Sequence, residues 1–302
     1  MSIMTALCWG LLAGLLVCVP LGYYYRFWRE SNPLRGNLDY TRASVGEINR
    51  DWGLLQRVQR QNAFLGGLSP ASHLEGNMRA ALLQAGNEVI ERYRNNSDPR
   101  IQDFDWPKAG VCFSHLIEMD RNDRAAQGKL ALCHGYENLE RAEQQAKTDF
   151  EAAVSLMPSS PDPHLGLARI YVYSLKNVGK AMAELHEAQR LGFEPGPREA
   201  EEEADGYRFR ATAELNQARR YGFENSAAEK RYLRLAERDF DRARRLYEPI
   251  EGFSNVSVAL RQVDDDDRER QGLAEELSKK LKPKSKSTQR PRRTARRTAR
   301  WQ

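Results

Sequence analysis

The 302-residue chain is 40% hydrophobic and 29% charged, enough apolar material for a buried core, which excludes a wholly disordered protein. Its net charge of +5 hides an imbalance, because residues 277–302 hold eleven Lys and Arg and no Asp or Glu, leaving 36 basic against 42 acidic residues in the rest. The basic character therefore belongs to a tail, and the body of the chain is acidic.

Residues 3–22 form a run of twenty positions without a charge. At about 1.5 Å per residue, such a helix crosses a hydrocarbon core of roughly 30 Å. A cleaved secretory signal would want cations before the run and a small-residue cleavage site after it, and neither is present. Directly after the run stand Tyr23, Tyr24, Tyr25, Phe27 and Trp28 with Arg26 and Arg29 among them, the rings and cations of a membrane interface. Arg26, Arg29, Arg35 and Arg42 all lie on the C-terminal side of the run, which places the remainder of the chain on the cytoplasmic face. Within the run, Ala6, Gly10, Gly14, Cys18 and Gly22 recur at intervals of four, a small-residue face that would let two copies approach as a homodimer. Beyond it, Val45, Ile48, Trp52 and Leu55 have spacings of 3, 4 and 3. They make either a coiled-coil seam or, by preference, an amphipathic helix packed on its own domain.

From about residue 71 the pattern is helical and repetitive. A small, large, small stripe occurs as Ala146, Phe150, Ala153, with Pro158 after it, and as Ala236, Phe240, Ala243, with Pro249 after it. Ala181, Leu185 and Ala188 keep the same spacing, and Ala109, Phe113 and Leu116 make a looser copy. Ahead of the third stripe stands PHLGLARIY, with Pro163 at a helix entrance, where a missing N–H costs little, and Leu167, Ala168 and Tyr171 on one face.

These residues resemble the tetratricopeptide repeat family, in which a first helix with a small residue and an aromatic pairs with a second carrying alanine, aromatic, alanine and then proline. Leu167, Ala168 and Tyr171 match the first helix of the clearest copy, Leu130, Ala131 and His134 that of the copy before it, and Gly206 with Phe209 that of the last. The match covers roughly residues 71–250, lacks the family's usual tryptophan and leaves the repeat count open between three and five. The resemblance implies an all-α, right-handed solenoid of helical hairpins whose concave groove binds a protein or peptide. The expected organisation is a transmembrane anchor (1–25), a juxtamembrane helical segment (26–70), the repeat domain (71–260), and a short helix with a disordered basic tail (261–302).

No phosphate loop, His-Glu-x-x-His pair or nucleophile elbow is found, so the chain reads as a scaffold without catalytic residues or cofactor. Cys112, His115, Cys133 and His134 are the nearest approach to a metal set, but their spacing suits structural zinc poorly, and Cys112 fits a core position. The acidic run from Glu199 to Asp205 reads as the start of a helix, where the macrodipole favours negative charge. Asp264 to Asp267 reads likewise, as the start of a terminal helix bearing Leu273, Leu277 and Leu281. First-helix positions without core duty are the candidate partner contacts: Lys129, His164, Arg169 and Tyr173.

The tail, with Arg292, Arg293, Arg296, Arg297 and Trp301, is suited to anionic lipid or nucleic acid, or else serves as a solubilising extension. Thr294 and Thr298 each come after two arginines and would lower its charge if phosphorylated. An outward-facing envelope scaffold is the alternative should the orientation be reversed.

Overall fold

The computed structural model describes residues 18, 21–36, 38–62, 71–96, 100–222 and 224–281. The apolar run at 3–22 lies almost wholly outside the described residues, as does the tail with Arg292, Arg293, Arg296, Arg297 and Trp301. Among the described residues no helix is long and apolar enough to cross a membrane, and no strand occurs.

The helices in chain order are α1 (Val45–Asn62), α2 (Ala71–Asn95), α3 (Trp106–Met119), α4 (Arg124–Asn138), α5 (Glu143–Leu156), α6 (Asp162–Tyr173), α7 (Val178–Arg190), α8 (Pro197–Tyr221), α9 (Ser226–Tyr247) and α10 (Val256–Leu281), preceded by a helical segment at 21–31. Each packs on the next in sequence, as short connections require, giving hairpins α2–α3, α4–α5, α6–α7 and α8–α9. First helices also touch across hairpins, α4 on α6, α6 on α8 and α8 on α10, while second helices do so far less. From α4 onward the first helices therefore form one contiguous layer.

Helix starts obey local chemistry. Asp105, Asp123, Asn177 and Asn225 each accept a backbone N–H of the first turn, and Pro107, Pro163 and Pro197 stand where a missing N–H is harmless. Just beyond the end of α7, Gly192 has a φ of +92° that lets the Phe193 N–H reach back to the Ala188 carbonyl.

The stripes read from sequence are the core. Ala109, Phe113, Ala146, Phe150, Ala153, Ala181, Ala188, Ala236, Phe240 and Ala243 are all fully buried. Phe150 shows why: a Cβ on Gly135 of α4 would come within 2.5 Å of its ring, and one on Gly166 of α6 within 2.4 Å. The ring thus fills a space that opens only because both neighbouring first helices carry glycine. Gly86 of α2 receives Phe113 in the same way, at 2.6 Å.

Four sequence expectations change. In α4 the buried positions are Ala126, Gly128, Leu132, Cys133, Gly135 and Tyr136, while His134 is exposed and Leu130 and Ala131 are half-buried. The inward face is set by the glycine that receives Phe150, so the family-like register assigned there is shifted. The segment assigned to 26–70 is not a separate unit, since Phe27, Leu34, Tyr40, Ile48, Trp52, Leu55 and Val58 share one core with α2 to α5. Trp52 stacks on His115 at 4.7 Å and donates from Nε1 to Glu118 Oε2 at 3.2 Å, so α1 packs on its own domain, which is the preferred sequence reading and not one of the changes.

The terminal helix begins at Val256, which crosses the boundary drawn at 260/261 and puts Asp264 to Asp267 mid-helix. There they meet cations and hydroxyls instead of capping: Asp264 takes Arg244, Asp266 takes Thr212, and Asp267 takes Arg270. The acidic run at 199–205 behaves similarly. Only Glu199 caps α8, accepting the Gly196 N–H at 2.9 Å, because the other acids face helices on either side.

Candidate functional site

Along the first helices a groove of about 540 Å³ lies between α2, α4 and the α5–α6 turn. Glycine again makes the geometry. A Cβ on Gly128 would lie 2.4 Å from Met157 Cγ, so only a bare backbone lets the α5–α6 corner close over α4 and floor the groove. Arg94, Arg124 and Lys129 supply three cations to its wall, against Glu91 and Asp162.

Each cation is held differently. Arg94 forks onto Asp162 at 2.8 and 2.5 Å, and this bond strengthens the charged form of the guanidinium. Arg124 donates one N–H to the Ser155 carbonyl at 3.2 Å while its side chain stays exposed. Lys129 donates to Asn87 Oδ1 at 2.6 Å and lies 5.7 Å from the Phe113 ring. Half-burial pulls its pKa down, against the attraction of Asp162, Asp123 and Glu91. An amphoteric, half-open groove of this kind suits an extended segment that brings its own charge.

Of the four sequence candidates, only Lys129 lines this groove. His164 is buried with Nδ1 at 2.7 Å from Glu184 Oε2, inside the α6–α7 hairpin. Arg169 pairs with Glu202, and Tyr173 donates to Asp205 Oδ2 at 2.9 Å. The expectation that these positions have no packing duty is corrected, because the acidic face of α8 turns toward Arg169 and Tyr173 and Glu184 of α7 holds His164.

Those contacts belong to a buried polar layer between α6 and α8. Asp205 also accepts Tyr247 Oη at 2.6 Å and Arg208 Nη2 at 2.8 Å. Arg198, almost fully buried, donates to the carbonyls of Tyr93 at 2.8 Å and Asn96 at 3.0 Å, and sits 4.4 Å over the Tyr93 ring. Burial and the neighbouring Asp205 and Glu202 push Glu201 up to about 7.

Sequence reasoning missed Asn87, Arg94, Arg124, Asp162 and Gly128. The signal was there in part: Gly128 breaks a helix pattern otherwise free of reason for a glycine. The four residues weighed for zinc are divided: Cys112 and Cys133 are fully buried, His115 faces Asn49 Oδ1 and Glu118 Oε1, and His134 is exposed. Comparison with protein-family models, with curated proteins and with solved structures finds no match.

Proposed function

We propose that the chain is a membrane-anchored, tetratricopeptide-like scaffold whose groove binds a protein or peptide partner on the cytoplasmic face. The observation that carries this reading is the groove itself, which runs across elements of three successive hairpins and presents Arg124 and Lys129 beside the backbone of residues 156–160. Repeat arrays of this kind offer extended inner surfaces rather than closed pockets. The anchor rests on the uncharged run at 3–22.

Placing a photo-crosslinking residue at exposed Ala125 in the full, membrane-borne chain tests it. A discrete adduct should form and disappear in Lys129→Glu with helicity unchanged. An adduct indifferent to that change, or none, argues against the groove. A second reading has its own support in the eleven basic residues without an acid at 277–302, which favour anionic lipid or nucleic acid at the tail. Removing residues 282–302 should then abolish that binding and leave the groove adduct intact.

A further inference from the structure

The helical segment 21–31 has two unlike sides. Leu21, Tyr24, Tyr25 and Trp28 are 62%, 59%, 64% and 46% exposed, and their spacing of i, i+3, i+4, i+7 gathers them into one stripe. The other side is fixed to the domain. Phe27 and Ser31 are buried, Tyr23 and Glu30 are half-buried, and the turn Asn32–Leu34 seats the fully buried Leu34 on α1 and α2. Arg35 closes the corner, donating from Nε to Ser31 Oγ at 2.9 Å with its guanidinium 5.3 Å from the Phe27 ring and 5.9 Å from the Trp28 ring. Lys108 extends the hold by donating to the Thr41 carbonyl at 2.6 Å.

A soluble surface rarely gathers four large apolar side chains on one short helix without a partner for them. Their chemistry selects the partner. Tyr and Trp carry an apolar body with a polar tip, the pair enriched where hydrocarbon meets headgroups, and Arg29 borders the stripe with positive charge suited to phosphate, while Arg26 pairs with Glu30 at 2.9 Å. The stripe is also continuous in sequence with the uncharged run at 3–22.

We propose that the Leu21–Tyr24–Tyr25–Trp28 face lies in the interfacial layer of a bilayer, its partner being the lipid surface. Because the opposite side of the same helix is locked to α1 and α2, the array is held against that surface in one orientation instead of hanging on a slack tether. This rests on the reading of residues 3–22 as a membrane span, and the experiment separates the two.

The full chain carrying Cys8→Ala and Cys18→Ala is reconstituted in phosphatidylcholine–phosphatidylserine vesicles, with a nitroxide at Tyr25→Cys or, as reference, at Arg245→Cys. Cys112 and Cys133, at 0% exposure, stay sealed. The chain should float with the vesicles, and the label at 25 should collide with oxygen several-fold more than with a water-soluble nickel complex, the reverse of the label at 245. Adding Tyr24→Ser and Trp28→Ser should raise nickel access at 25 while flotation persists. Flotation with equal nickel access at 25 and 245 overturns the proposal and spares the span. A chain that stays in the aqueous phase overturns both.

Discussion

The array is packed in two ways. From Phe27 to Ala181 one continuous apolar core runs through α1 to α7, filled by rings set into glycine gaps, with Tyr93, Phe104, Trp106 and Tyr136 clustered at its centre. From Ala204 to Leu277 a second core, in α8 to α10, is narrower and edged by charge: Asp239, 1% exposed, takes Arg210 and Arg238, and Arg270 takes Asp267. Glu214 and Glu229 each keep one buried carboxylate oxygen without a hydrogen-bond partner among the described residues. The same alanine stripe therefore sits in two settings, one filled by rings in glycine gaps and the other edged by buried carboxylates and their arginines. The buried polar layer of Arg169, Tyr173, Glu202 and Asp205 is where one gives way to the other.

The sharpest way to break the contrast is volume. Phe150→Ala should cost about 3–5 kcal/mol, since the fully buried ring leaves a cavity lined by two glycines that cannot fill it. Urea unfolding of the full chain measures this, and a loss below about 1 kcal/mol would show that α4 and α6 collapse together. In the second region the largest effect should be electrostatic. Asp239→Ala leaves Arg210 and Arg238 without their carboxylate and should cost about 2–3 kcal/mol, with Asp239→Asn recovering part of it.

Protonation should act on the second region and its seam with the first. Burial and repulsion from Asp239 push Glu214 up to about 7, and burial with Asp205 and Glu202 does the same for Glu201, against an ordinary value of 4.5. A carboxyl whose folded pKa is raised binds more protons folded than unfolded. Its contribution is complete below about 4.5 and lost as pH rises through about 7. The unfolding midpoint of α8–α9 should therefore rise on going from pH 8 to pH 5, and Glu214→Gln should flatten the slope. Hydrogen exchange resolved by helix is the measurement; α4 has one raised carboxyl of its own, Glu137, pushed up by burial, so a response in α4–α5 as large as that in α8–α9 would erase the distinction. The smallest effect should be shared: Asn177→Ala and Asn225→Ala each remove one helix cap and should cost about 1 kcal/mol in either region.

The stripes were legible in sequence because a residue that must be both small and periodic has few alternatives, and Ala146, Phe150 and Ala153 announce themselves by spacing alone. The first-helix register of α4 was not, since Gly128 and Gly135 matter through what meets them from α5 and the turn after it, which spacing within one helix does not contain. The site was half legible for the same reason. Lys129 stands out as a cation on a helix face, but Asn87 and Arg94 join it only through the stacking of α2 on later hairpins, 42 residues away for the first pair and 68 for the Arg94–Asp162 bond. The acids at 199–205 misled because a local explanation, the helix start, was available and sufficient for Glu199. Their actual partners come from α6, α9 and later turns of α8 itself.

The ring of Phe150 belongs to two hairpins at once, since it occupies the gap left by Gly135 in its own and by Gly166 in the next. A hairpin copied by gene duplication would arrive with only one of the two glycines its aromatic needs and would have to find the other on its new neighbour. The unit that can be inherited whole thus runs from the middle of one hairpin to the middle of the next one, across the loop after Leu156 rather than between loops. The seam at α6–α8 is filled by polar side chains instead of a shared ring, so among the described residues no such overlap ties the hairpins on its two sides.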